Sequence, residues 1–312
     1  MSSSSPPPAE GVRVHWEQLP PSIRREIEER IGERVVRSIT QPGGFSPGLA
    51  ARLKSAGGRE VFVKAVSGKA NPDTPQMHRR EAEVVAALPR EAPVPRLLWS
   101  FTLGGWVVLG FDAVDGRMPA QPWRAAELRL VIDGLRRLHD VLTPSPIASE
   151  AAAHALATHI RGWGELQKAV GLDAWAARNI DRLLALEAAA PDAAAGDTLL
   201  HFDVRADNLL ITGDQVYFVD WPWARIGAPF VDWVAFAPSV AMQGGPKPEV
   251  LVRMAGLNAP DSAIDAVVAS VAGYLLAQAR RPPPPGIPTV RAFQAAQGEI
   301  TLDWLRERTG WS

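Results

Sequence analysis

The sequence predicts an α+β chain in two parts, a β-rich first part of about 110 residues and a mainly helical second part. Three observations carry this prediction. Three strand-like stretches separated by Gly- and Pro-bearing turns lie between residues 35 and 66, and the chain reads mostly as helix from residue 125 onward. Residues 198–235 then return to short β-type runs among helices, and such an arrangement leaves a cleft where the two parts join.

The elements follow in order. Residues 1 to about 10, opening MSSSSPPPAE, hold too few apolar side chains to fold and read as a disordered tail. SIRREIEERIG (22–32) carries Ile23, Ile27 and Ile31 at four-residue spacing and ends at Gly32, the pattern of a short amphipathic helix. VVRSIT (35–40), LAARLKS (49–55) and EVFVKAV (60–66) are strands of an antiparallel meander, joined by QPGGFSPG and AGGR turns. HRREAEVVAALP (78–89) reads as a helix with Ala82, Val85 and Leu88 facing inward. RLLWSF (96–101) and GWVVLGF (105–111) are two further strands, and AAELRLVIDGLRRLHDV (125–141) opens the helical part. The insert offers LLHF, NLLIT and VYFVDW.

Composition narrows the function classes. The 33 basic and 34 acidic residues nearly cancel, so no overall electrostatic footprint for nucleic acid or an anionic membrane is present. The absence of cysteine excludes disulfides, thiolate metal sites and Cys nucleophiles. The N-terminus lacks the basic and apolar regions of a signal peptide, and every long apolar run is broken by charges, Gly or Pro. These features lead us to expect a cytoplasmic protein with neither nucleic-acid nor membrane partners.

The chemistry concentrates in HFDVRADNLLITGDQVYFVDW, residues 201–221. Asp203 follows His201, Asn208 lies five residues after Asp203, and Asp220 lies twelve after Asn208. Apolar runs on both sides of the turn would bring all three to the end of a hairpin. Asn208 and Asp220 supply the hard oxygen donors that Mg²⁺ requires, and Asp203 is left to accept a hydroxyl proton. Phosphoryl transfer needs little beyond such positioning and charge neutralisation.

HxDxxxxN followed by VDW resembles the aminoglycoside phosphotransferase family and its relatives, including choline, methylthioribose and homoserine kinases. That loop commonly reads HGDLHPGN there; here His201, Asp203 and Asn208 are kept, while Phe202, Arg205 and Asp207 depart. Gly227, Pro229 and the Asp232-Trp233 pair echo the continuation of the motif. The resemblance covers roughly residues 35–240. It implies a bilobal protein-kinase-like fold, with a small antiparallel β N-lobe over residues 11–113 and a large, mainly helical C-lobe over 114–312. It also implies Asp203 as the catalytic base, Asn208 and Asp220 as Mg²⁺ ligands, and ATP or GTP as co-substrate. In the N-lobe it implies a nucleotide-covering turn with Gly43, Gly44 and Ser46, and a strand lysine, Lys64, oriented by Glu81. The adenine would meet a hinge at Leu109–Val114, centred on Phe111, Asp112 and Ala113. The turn is not a Walker A motif, which disfavours P-loop enzymes.

Several residues carry a plain structural reading as well. His201 reads as loop scaffold, and Asp232 as either a helix N-cap or a brace for the loop backbone. Arg205 could touch a phosphoryl group or pair with Asp207, and the ion pair is the commoner arrangement. Trp221, Trp223 and Trp233 read first as packing residues. The Pro-rich run 281–288 reads as a rigid connection to a last helix that covers the acceptor site. Residues 241–290 offer only Glu249, Asp261 and Asp265 as acidic groups, which disfavours a polycationic acceptor. The resulting expectation is a phosphotransferase acting on a hydroxyl of a small molecule, an antibiotic or a metabolite. A nucleotide-binding pseudokinase and a protein kinase are the alternatives, although only about seven residues between Asp220 and Gly227 leave no room for a peptide-binding segment. The sequence leaves the oligomeric state open.

Overall fold

A computed structural model of the chain describes residues 7–312. Residues 1–6 of the expected tail lie outside the described residues, and Ala9 and Glu10 run beside the glycine turn. Helix α1 (Pro21–Ile31) precedes strands β1 (Val35–Thr40), β2 (Leu49–Ser55) and β3 (Glu60–Ser67), helix α2 (Thr74–Ala87), and strands β4 (Leu97–Leu103) and β5 (Trp106–Asp112). The five strands form one antiparallel sheet in the order β1-β2-β3-β5-β4.

Strand alternation decides what faces what. Leu49, Ala51 and Leu53 of β2 and Val61, Val63 and Ala65 of β3 are buried with Ile23, Ile27 and Ile31 of α1, so this face of the sheet is closed by α1. The intervening Phe62, Lys64 and Val66 therefore point to the other face, toward α2 and the cleft. The inward residues of α2 differ from those that apolar spacing predicts. His78, Glu81, Val84 and Val85 are buried, while Ala82 and Leu88 are only half-buried. Two polar residues occupy the buried stripe because Glu81 meets Lys64 there, and hydrophobic periodicity does not register a buried ion pair.

The helical part comprises α3 (Ala125–Val141), α4 (Ala152–Thr158), α5 (Trp163–Leu166), α6 (Ala174–Arg178) and α7 (Ile180–Ala193), followed after the β insert by α8 (Phe230–Met242), α9 (Pro248–Ala255), α10 (Asp261–Ala279) and α11 (Val290–Thr309). Contrary to the expectation that no apolar run is long enough, α10 has the length and composition to cross a membrane. Its acidic residues, Asp261 and Asp265, sit in the first turns and leave the remainder uninterrupted. That apolar surface is largely buried between α7 and α11.

In the insert, β6 (Thr198–Leu200) pairs with β9 (Arg225–Gly227), and β7 (Leu209–Thr212) forms a hairpin with β8 (Gln215–Phe218). The 201–208 loop spans β6 and β7, and Val219 N–H donates to Asn208 O at 3.0 Å to close the open end of the hairpin. Asp232 braces this loop and does not cap α8, whose N-cap is Pro229. One Asp232 oxygen accepts the Phe202 N–H at 2.8 Å, and the other accepts the His201 N–H and the His139 Nε2–H, both at 3.0 Å. His201 in turn donates Nε2–H to Val219 O at 2.9 Å, a scaffold role for the histidine. These bonds hold Phe202 at a φ of 65°, a conformation that costs a non-glycine residue about 1–3 kcal/mol.

Removing the Asp232 carboxylate would strand three buried donors, each worth about 1–3 kcal/mol. We expect Asp232→Ala to lower stability by at least about 3 kcal/mol in urea unfolding. A loss below about 1 kcal/mol would contradict the bracing role.

Candidate active site

A cavity of about 500 Å³ lies between the sheet and the helical part. Ten of the eleven residues the sequence singles out line it: Gly43, Gly44 and Ser46 above, Lys64 and Glu81 behind, and Phe111, Asp112 and Ala113 along the crossing between the two parts, with Asn208 and Asp220 below. Apolar Ile39, Leu49, Val66, Val94, Leu210 and Val219 complete the walls. Asp203 is not a wall residue; it lies beside the cavity, joined to Asn208.

The back wall is an ion-pair relay. Lys64 Nζ lies 2.7 and 2.9 Å from the two Glu81 oxygens and 2.8 Å from Asp220 Oδ1. Burial alone would raise the Asp220 pKa, yet Lys64 holds it down to about 2. Burial raises Glu81 to about 7, against the pull of Lys64. Burial likewise disfavours charge on Lys64, but the two carboxylates outweigh it and raise its pKa. His78, one turn before Glu81, is pushed by burial to about 3 and stays neutral, donating through Nδ1 to Thr74 O at 3.1 Å. Asp220 has a φ of 71°, so its side chain reaches Lys64 only because the backbone adopts a left-handed turn directly after the hairpin.

The turn over the cavity needs its glycines for two reasons. Gly44 has a φ of 94°. Gly48, at 125°, passes so close to β3 that a Cβ would lie 2.5 Å from Ala65 O. Between them, Phe45 leaves the cavity and packs edge-on against Phe293 of α11, with ring centroids 5.1 Å apart. The guanidinium of Arg205 lies over both rings, at 5.2 and 5.8 Å.

Arg205 makes the expected pair with Asp207, at 3.1 and 2.9 Å, and it also bonds Asp203. Burial would lower its pKa, but the two carboxylates outweigh that and raise it. Burial raises Asp203 to about 7; Arg205 opposes that rise, while Asp207 and Asp220 add to it. Asn208 donates Nδ2–H to the backbone and side chain of Asp203 at 2.8 and 3.3 Å, which leaves its Oδ1 free to act as a donor atom toward a cation. Asn208 and Asp220 thus present oxygen atoms of the hard type that Mg²⁺ selects, and the residues fit that ion.

Trp221 and Trp233 are buried packing residues and Trp223 is 43% exposed. The Pro-rich run turns toward the sheet: Pro285 O accepts Asn71 Nδ2–H at 3.1 Å and Gly286 O accepts Val12 N–H at 2.9 Å. Sequence reasoning missed Arg13, His78, Phe45 and Phe293. His78 and Phe45 lie inside segments already recognised, where burial of a histidine or an outward turn of a phenylalanine has no sequence signature. Arg13 and Phe293 come from segments far from the 201–221 loop in sequence, and nothing in their local pattern marks them.

No curated protein sequence matches the chain. Solved structures do. A thermostable mutant of aminoglycoside phosphotransferase APH(4)-Ia, in ternary complex with ADP and hygromycin B, superposes with a TM-score of 0.63 at 15% identity, covering 93% of this chain and all of that one. A choline/ethanolamine kinase family protein from Mesorhizobium loti gives 0.60 at 15% identity, over 87% and 88% of the two chains. Choline kinase LicA from Streptococcus pneumoniae gives 0.55 at 14% identity, over 90% and 99%. These likenesses establish the kinase-like fold. The profile of the phosphotransferase enzyme family matches residues 42–296, a span that holds the glycine turn, Lys64, Glu81 and the whole 201–221 segment, and the chain belongs to that family.

Proposed function

We propose that the protein transfers the γ-phosphoryl group of ATP or GTP to a hydroxyl of a small molecule, in the cleft between residues 11–113 and 114–312. One observation carries this reading: Lys64, Glu81, Asn208 and Asp220, drawn from a strand, a helix and a hairpin, converge on one cavity with Asp203 at its edge. The ADP–hygromycin B complex of APH(4)-Ia supports a nucleotide beside a small acceptor.

In this reading Gly43, Gly44 and Ser46 cover the phosphates, Lys64 leaves Asp220 to contact them, and Glu81 keeps the lysine in place. The base packs against the walls near Phe111, Asp112 and Ala113. Mg²⁺ would be held by the oxygens of Asn208 and Asp220, where it neutralises phosphate charge. Asp203 accepts the proton of the acceptor hydroxyl as its oxygen attacks phosphorus, and the bond to the leaving diphosphate breaks. A carboxyl with a pKa near 7 suits that task, because proton transfer is most effective when the catalytic pKa lies near the working pH.

The acceptor is a neutral or weakly cationic hydroxyl compound. Glu249, Asp261 and Asp265 all gather around Arg308, at 2.9, 3.0 and 2.5 Å, so the acidic groups of this stretch are directed at the last helix rather than at the cavity, whose lining includes none of them. Mass spectrometry of a pooled library of antibiotics and hydroxylated metabolites, incubated with protein, Mg²⁺ and ATP or GTP, tests the reading directly. A product with one added phosphoryl group is expected; tight nucleotide binding with no product from any acceptor would favour a regulatory pseudokinase.

Two further outcomes are expected. Asp203→Asn should lower kcat by about 10²–10⁴-fold with nucleotide affinity little changed, and full turnover would exclude Asp203 as the base. Because deprotonated Asp203 is the active form, kcat/KM should rise with pH through about 7 and level off above it. The rising limb should persist in Glu81→Gln, which separates Asp203 from the other carboxyl raised to about 7.

A further inference from the structure

Arg13 enters the cavity from outside the span that the family profile matches. Its backbone is fixed on both sides. Gly44 N–H donates to Ala9 O at 2.9 Å, Gly48 N–H to Val12 O at 3.0 Å, and Val14 N–H to Gly48 O at 3.0 Å, so residues 9–14 run along the glycine turn. The bond from Val12 N–H to Gly286 O holds the same segment against the Pro-rich run. The Arg13 guanidinium reaches past the turn and donates to the carbonyls of Gly43, Ser46 and, at 3.2 Å, Gly44.

Its charge is the unusual feature. Three other lysine and arginine side chains line the cavity, and each has a carboxylate partner: Arg52 with Glu60 and Asp115, Lys64 with Glu81 and Asp220, Arg117 with Glu127. Arg13 has none among the described residues. It is half-buried, and its Nε is buried with no hydrogen-bond partner. A desolvated guanidinium satisfied only by neutral carbonyls is incomplete, because a fork of five donors is matched best by an oxyanion. Asp207 and Asp220 line the same cavity, and burial lowers the Arg13 pKa against the pull of those two carboxylates.

We propose that Arg13 is a phosphate-binding residue of this cleft, contributed by the N-terminal segment, which exchanges carbonyls of the glycine turn for phosphate oxygens of the nucleotide. The proposal rests on the reading that the cavity holds a nucleoside triphosphate. It makes the N-terminal segment part of the nucleotide site, so that the turn closes on a phosphate only when residues 9–14 are seated beside it.

Isothermal titration of the full chain with ATP, ADP and adenosine, each with Mg²⁺, tests this on the wild type, Arg13→Gln and Arg13→Lys. Thermal unfolding identifies variants that fold. Arg13→Gln should weaken ATP and ADP about tenfold or more, leave adenosine within about twofold, and be partly rescued by Arg13→Lys, which restores charge but not the fork. A residue that merely brackets the turn meets only neutral carbonyls, so Arg13→Lys would restore ATP binding no better than Arg13→Gln. That pattern, or unchanged ATP binding in Arg13→Gln, overturns the proposal while leaving the nucleotide site standing. A wild type that binds no nucleotide removes both.

Discussion

Lys64 is bonded to Glu81 on one side and to Asp220 on the other, and so ties a strand, a helix and the segment after β8 together. Three charges in a shielded cleft cost several kcal/mol of hydration each, and the arrangement is tolerable only when every partner is present. That requirement constrains the surroundings. Strand alternation must turn Lys64 away from the α1 core, α2 must present Glu81 and not an apolar residue to the sheet, and the chain after β8 must take a left-handed turn to aim Asp220 upward. The relay thereby joins the sheet, α2 and the insert at one point.

A second electrostatic unit lies immediately below. Asp203, Arg205 and Asp207 form a compact carboxylate–guanidinium–carboxylate group, roofed by Phe45 from the glycine turn and Phe293 from α11. The two units share Asn208 as their boundary, since it lines the cavity and bonds Asp203. The two units are separate in space, a large, partly apolar cavity and a smaller covered region around Asp203, and the proposed function assigns the first to the nucleotide and the second to the acceptor. Both units rest on Asp232, whose carboxylate fixes the backbone between them.

Two segments far apart in the chain converge on the glycine turn. Residues 9–14 lie along one side of it, and the Pro-rich run and α11 meet it at Pro47 and Phe45. The Pro-rich run therefore serves less as a spacer than as a strap, reaching from the helical part back to the sheet. A turn held from both sides departs from the free flap that glycine content alone would suggest, because its mobility depends on contacts made by segments more than 200 residues apart.

The sequence by itself determined the elements and their chemistry. Period-two alternation and turn residues placed β1 and β2 at their observed bounds, and the apolar runs around Asn208 and Asp220 marked the hairpin that carries those two residues to the cavity. Such signals are local: they depend on residues a few positions apart and survive without knowledge of the fold. Tertiary structure alone decided the rest. Burial of Glu81 and His78 widens the inward face that apolar spacing assigns to α2 to include two polar residues, and Asp232 becomes a brace because the loop passes its carboxylate. Arg13 stands in the cleft without a carboxylate partner among the described residues because of what the fold places around it. Charge compensation and desolvation are properties of three-dimensional neighbourhoods, and no pattern along the chain records them.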